Sequence, residues 1–121
     1  MHVDDHCRGV DLLIEKGVAG EVYNIGGGNQ VKNVDLTHRI LQLVGKPVSL
    51  IKPVADRPGH DRRYSLDTGK LESLGWKPIE RFEQGLAKTV QWYRENEWWW
   101  RPIKDEDPEY KKYYQGQYGN R

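Results

Sequence analysis

Cysteine is almost absent from this chain. Cys7 stands alone, and one thiol cannot close an internal disulfide. No apolar run has the length of a membrane-spanning helix or a secretory segment, so a reducing, cytoplasmic setting is the expectation. An excess of one charge is missing too. The 19 Lys and Arg residues face 18 Asp and Glu, leaving +1. A general nucleic-acid or membrane-surface footprint needs a basic excess, so neither partner is expected. A local cationic site for a small anion stays open. Apolar residues are scarce at 36% of 121. That length suits one small domain with a single core, but the composition is low for a domain that supplies its whole core.

Metal-ligand spacing is lacking as well. His2, His6, His38 and His60 are accompanied by no cluster of cysteines, only by Cys7 next to His6. The i, i+4 pair in "HVDDH" carries Val3 where the zinc motif HExxH needs Glu. No metal site is expected.

What is present is placed unevenly. All five tryptophans and six of the seven tyrosines follow residue 60. The opening "MHVDDHCRG" has no lead-in and reads like a chain entered midway. Asp4 or Asp5 can cap a helix running to about Lys16, with Cys7, Val10, Leu13 and Ile14 on one face and Gly17 just past its end. "EVYNIGG" reads as a short buried strand. Asn33, or else Asn29, caps a second helix bearing Leu36, Ile40, Leu43 and Val44, stopped by Gly45 and Pro47. "SLIKPVAD" reads as another strand, with Pro53 at an edge or bulge. "DTGKLESLGW" gives a short helix capped by Asp67 or Thr68 and ended by Gly75. The clearest helix spans about Phe82 to Glu95, with Phe82, Leu86, Val90 and Tyr93 as its stripe. Residues 96–121 form a polar, aromatic tail. Strands alternating with helices indicate α/β or α+β.

Three stretches invite a functional reading. "NIGGGN" is glycine-rich, but Val31 occupies the third glycine's place in a dinucleotide fingerprint, and no P-loop Lys follows. It is either a tight turn using glycine's freedom or a close approach of backbone to a ligand. Asn33 is either a helix cap or an amide at a helix N-terminus, where anions are favoured. In "VADRPGHDRRYSLD", seven of fourteen residues are Asp, Arg or His around the Pro58–Gly59 turn. It is either a salt-bridged surface turn or an anion clamp, since a guanidinium fork matches phosphate. The tail tyrosines Tyr110, Tyr113, Tyr114 and Tyr118 suit a partner surface, a core lining or a stacking platform.

"HVDDHCRG", "EVYNIGGGNQVKNVDL", "VADRPGHDRRYSLD", "LGWKPIERFEQGLAKTVQWYREN" and "YYQGQYGNR" together resemble, in order and spacing, the dTDP-glucose 4,6-dehydratases of the extended short-chain dehydrogenase/reductase family. The likeness covers essentially the whole chain, and "DRPGHDRRY" is its most specific piece. It implies the C-terminal, substrate-binding third of such an enzyme, an α/β (α+β) fragment lacking the N-terminal Rossmann region. The family's glycine fingerprint and catalytic Tyr-x-x-x-Lys are absent, so no catalytic residue and no NAD-binding residue is assigned here. The resemblance implies substrate contacts at Asn33, Asp56, Arg57, Pro58, Gly59, His60 and Tyr118. Arg81 departs from the family's Thr or Ser at a helix start.

For an intact enzyme the resemblance implies an NAD-dependent lyase acting on dTDP-glucose. Hydride leaves C4, water is eliminated across C5 and C6, and hydride returns to C6. The product, dTDP-4-keto-6-deoxy-glucose, serves rhamnose and polysaccharide biosynthesis. The chain alone is expected to be inactive and to self-associate into homo-oligomers. The alternative is a non-catalytic nucleotide-sugar-binding or self-associating module.

Overall fold

A computed structural model describes residues 1–56 and 58–119. Its α-helices are α1 (Val3–Lys16), α2 (Asn33–Val44), α3 (Gly69–Glu72), α4 (Phe82–Glu95), α5 (Glu97–Arg101) and α6 (Pro108–Tyr118). A 3₁₀ turn covers Val48–Leu50, and a π-helical turn, Pro102–Glu106, joins α5 to α6. α2 packs on α4, and α5 turns back along the end of α4.

The smallness of the core governs everything else. Leu71 is fully buried and Trp76 is 4% exposed. Asp5, at 1%, is buried beside them. It sits in the first turn of α1, where a carboxylate complements the helix dipole. Its Oδ1 accepts from the Ile79 amide at 3.0 Å and its Oδ2 from the Glu80 amide at 3.0 Å. Arg8, one turn on, pairs with Oδ1 and also donates to the Lys77 carbonyl at 3.2 Å. Trp76 Nε1 donates to the Asp5 carbonyl oxygen at 3.2 Å. One residue thereby ties α1 to the 76–80 connector through both its side chain and its backbone.

Gly9 lies one turn beyond Asp5 and lets the layers close. A Cβ there would stand 2.9 Å from Ile25 Cγ2 and 3.1 Å from Trp76 Nε1, both too tight. Gly85 does the same for α4, where a Cβ would meet His2 at 3.2 Å. The buried face of α1 is therefore Asp5, Gly9 and the half-buried Leu12 and Leu13. Of the face expected from hydropathy only Leu13 turns inward: Cys7 and Val10 are exposed and Ile14 is 79% exposed. A buried carboxylate and a glycine carry no apolar signal, so periodicity missed the rest of the buried face.

α4 has the expected bounds. Phe82, Leu86 and Val90 are half-buried, but Tyr93 is exposed. Arg39 holds α2 to α4, with Nη1 2.5 Å from Glu83 Oε1 and its guanidinium 5.4 Å from the Phe82 ring centre. Arg81 precedes α4 without a side-chain cap. α1 is capped by His2, whose Nδ1 accepts from the Asp4 amide at 3.3 Å, rather than by Asp4 or Asp5. Lys32, not Asn33, is the cap residue of α2. Gly45, at φ 67°, ends that helix in the left-handed region, and Gly75, at φ 98°, follows α3.

The expected strands do not form. Among the described residues "EVYNIGG" and "SLIKPVAD" contain no ladder pairing; the second is partly a 3₁₀ turn. A strand is stabilised by its neighbours, and no partner strand is at hand. Val22, in the middle of the first segment, is 80% exposed. The fold is therefore helices joined by irregular segments, not the α/β alternation read from the pattern.

The tail is helical, which its composition did not signal. Trp99 meets Trp92 edge-on at 5.4 Å, and Trp100 Nε1 donates to the Tyr93 carbonyl at 2.8 Å. Asp107 caps α6, with Oδ1 accepting from the amides of Glu109 and Tyr110 at 2.8 and 3.1 Å, and Pro108 suits the first helical position.

Burial pushes the Asp5 carboxyl upward, but the Ile79 and Glu80 amides, followed by Arg8, outweigh it and hold its pKa below the ordinary value. A depressed folded pKa gives stability that is complete above the unfolded value and lost as pH falls through the folded one. The denaturation midpoint should be steady down to about pH 5 and fall steeply below about pH 4. Asp5→Asn should cost about 2–4 kcal/mol at neutral pH and flatten that acid limb. Urea titrations across pH test both, and an Asn variant as stable as the parent at neutral pH would remove Asp5 as the anchor.

Candidate functional site: a cationic concavity at the start of α2

The loop leading into α2 and the segment after the Pro58–Gly59 turn face one another. Two side-chain bonds hold them in register. Gln30 Nε2 donates to Ser65 Oγ at 3.2 Å, and Asn24 Nδ2 donates to the Asp67 carbonyl at 3.1 Å. Asp67 in turn accepts from the Gly69 amide at 2.8 Å, fixing the loop end on α3, whose Leu71 is buried in the core.

Between them lies a concavity of about 580 Å³. It is lined by Lys32, Asn33, Asp61, Arg62, Arg63 and Tyr64, with residues 29–31 completing one wall. Three cations face one carboxylate. The first amides of α2 have no intrahelical acceptor, and a helix N-terminus favours anions. Planar guanidinium forks, free amides and an amide side chain suit a phosphorylated ligand.

Asn33 opens α2 as its first helical residue, after Lys32, whose side chain makes no cap bond. The Asn33 carbonyl accepts from Thr37 Oγ1 at 2.7 Å, while its side chain lines the concavity. Asp56 and His60 form a pair across the turn, Oδ1 to Nδ1 2.7 Å. Pro58 and Gly59 make the turn itself, Gly59 at φ 70°. Arg57 lies outside the described residues. Tyr118 stands on α6 with its ring 5.0 Å from that of Tyr114 and is not a lining residue of this concavity. The structure thus joins Asn33 to Arg62 and Arg63, whereas the sequence reading centred on 56–60. The adjacent arginines after the turn were the signal for the extra pair.

Packing explains two glycines of the run, while Gly28, at φ 67° with open space around it, serves the left-handed turn. A Cβ on Gly26 would stand 3.3 Å from Thr68 Cγ2, and one on Gly27 2.9 Å from Met1 Cβ. The chain's own side chains fill that approach at Gly26 and Gly27. Among the described residues no group of His, Cys, Asp and Glu could hold a metal ion, and no helix is long and apolar enough to cross a membrane.

Comparison with known proteins shows the family of the chain. The family model of GDP-mannose 4,6 dehydratase matches residues 1–89, and the chain belongs to that family. Within it, the similar proteins are dTDP-glucose 4,6-dehydratases. That of Streptomyces antibioticus is 51% identical over 105 residues, 86% of this chain and 31% of the relative. That of Salmonella typhimurium is 46% identical over 112 residues, again 86% and 31%. Among solved structures, the enzyme of Streptomyces venezuelae with NAD bound superposes with a TM-score of 0.80 at 53% identity, over 85% of this chain and 32% of that one. The Bacillus anthracis enzyme in complex with NAD gives 0.78 at 48% identity, over 85% and 33%. The chain therefore spans about a third of the length of the relatives it matches.

Since Asn33 stands at the first helical position and Lys32 at the cap, Asn33→Ala should change stability by less than about 0.5 kcal/mol, against about 1 kcal/mol for loss of a true cap. Thermal melts decide it, and a loss near the larger figure would return Asn33 to a capping role.

Proposed function

We propose that this chain is the C-terminal, substrate-binding part of a dTDP-glucose 4,6-dehydratase. The observation that carries the reading is the placement of Asn33, at the head of α2, across a concavity from Arg62 and Arg63. Asn33 and the Pro58–Gly59 turn are the segments that the resemblance assigns to the nucleotide sugar. On this reading Asp56, Arg57, Pro58, Gly59 and His60 form a clamp for the diphosphate and nucleoside. The turn limits the ordering cost, and the Asp56–His60 pair braces it. Tyr118 reaches the substrate from the tail.

The chain supplies binding, and the proton and hydride steps belong to the remainder of a longer enzyme, which also holds NAD. The product feeds deoxysugar, including rhamnose, and polysaccharide biosynthesis. The unpaired 21–32 segment would join a sheet that the remainder contributes. In isolation the same surface favours self-association into homo-oligomers.

Two measurements test this. The chain mixed with dTDP-glucose and NAD should yield no 4-keto sugar by alkaline absorbance, and turnover by a pure sample would refute the division of labour. In a whole enzyme carrying this sequence, Arg57→Ala should weaken dTDP inhibition by about tenfold or more, with Arg57→Lys restoring only part of it. Unchanged inhibition and an unchanged Michaelis constant would leave the turn as a solvated surface feature.

A further inference from the structure

A second groove lies between the π-helical turn and α6, at the other end of the chain's helical tail. It measures about 540 Å³ and is lined by Lys104, Tyr110, Lys111, Lys112, Tyr114 and Gln115. That volume falls within the roughly 300–1,000 Å³ usual for small-molecule sites. No carboxylate lines it.

The acids of the same segment are engaged or turned elsewhere. Asp105 faces Arg101 at 3.7 Å, Asp107 caps α6, and Glu106 and Glu109 do not reach the groove wall. None of the three lysines makes an ion pair among the described residues; Lys104 Nζ lies 5.6 Å from the centre of the Trp100 ring. Three ammonium groups on one small groove repel each other, and a polyanion between them relieves that repulsion.

The aromatic side is equally specific. Tyr110 and Tyr114 are near-parallel, centroids 6.1 Å apart at 28°, and Tyr118 continues the ladder. An i, i+4 tyrosine pair stabilises a helix by only about 0.2–0.5 kcal/mol, little return for three exposed rings. A further planar ring stacking on the open faces would bury them. Gln115 is the only uncharged amide on the wall, so the groove can read phosphate and ring but not the identity of a base.

We propose that this groove is a second binding site, for a small ligand joining a planar ring to a di- or polyphosphate, and that it accepts nucleoside diphosphates without regard to the base. It is distinct from the concavity at Asn33, with which it shares no lining residue.

The test is calorimetric titration of the chain with ADP, thymidine diphosphate, pyrophosphate and thymidine at low ionic strength. ADP should bind, and pyrophosphate and thymidine should each bind about tenfold more weakly than ADP, because each offers half of the contact. Lys111→Gln with Lys112→Gln should weaken ADP by about tenfold, and Tyr114→Leu, which keeps helix propensity but removes the planar face, by about fivefold or more. Lys16→Gln, on α1, controls for net charge. The proposal is overturned if ADP does not bind, if the Lys111/Lys112 double variant binds it like the parent, or if Lys16→Gln weakens it as much. ADP binding abolished by Arg57→Ala but kept by the double variant would assign the nucleotide to the loop and also overturn the groove. Thymidine diphosphate inhibition of the whole enzyme, read in Arg57→Ala, tests the substrate clamp separately.

Discussion

One carboxylate holds this chain together. Asp5 is buried almost completely, yet it remains ionised because two backbone amides and a guanidinium converge on it. A buried charge is costly unless paired and hydrogen-bonded, and here every partner is supplied by segments that must come together anyway. The 76–80 connector has no regular structure to satisfy its amides. Asp5 satisfies two of them, and the Trp76 indole answers through the Asp5 carbonyl. The gain lies less in net attraction than in specificity: only one docking of α1 on the connector leaves no buried group unpaired.

The reach of that anchor explains how loops can form a site. Trp76 and Leu71 are the buried apolar residues, each worth roughly 1.5–3 kcal/mol. Leu71 fixes α3, α3 fixes Asp67, and Asp67 with Ser65 holds the charged segment against Asn24 and Gln30. The cationic concavity is thus two steps from the core, braced by exposed hydrogen bonds that each add little. A ligand with two phosphates would add contacts that the protein alone does not make across this gap.

Helix α4 was legible in the sequence because its apolar stripe and its core-facing side coincide. The extent of α1 was legible, but most of its buried face was not, because its inward residues include an aspartate and a glycine, invisible to hydropathy. The two strand-like segments show a different failure. Their β-branched and glycine pattern is a statement about neighbours, and among the described residues no strand pairs with them. The loop's charge density was visible but left a salt-bridged turn and an anion clamp both open, and Asn33 was singled out through the resemblance. That Arg62 and Arg63 face Asn33 while Tyr118 does not line the same hollow required coordinates.

Surface area joins these threads. A compact monomer of 14.1 kDa would expose about 6,700 Å², whereas this chain exposes 10155 Å². The excess, roughly 3,400 Å², is about four times one partner's share of a standard interface. Much of it is apolar: Ile14 and Val22 near the chain start, and Trp98, 72% exposed, near its end. A surface of that extent, in a chain matching a third of each relative, is what a piece of a larger core presents. Six of the 19 Lys and Arg residues line the two hollows, and the rest lie elsewhere along the chain. The 21–32 segment also carries residues 29–32 of the concavity wall, so on the proposed reading binding and assembly meet along it, and a change there would touch both.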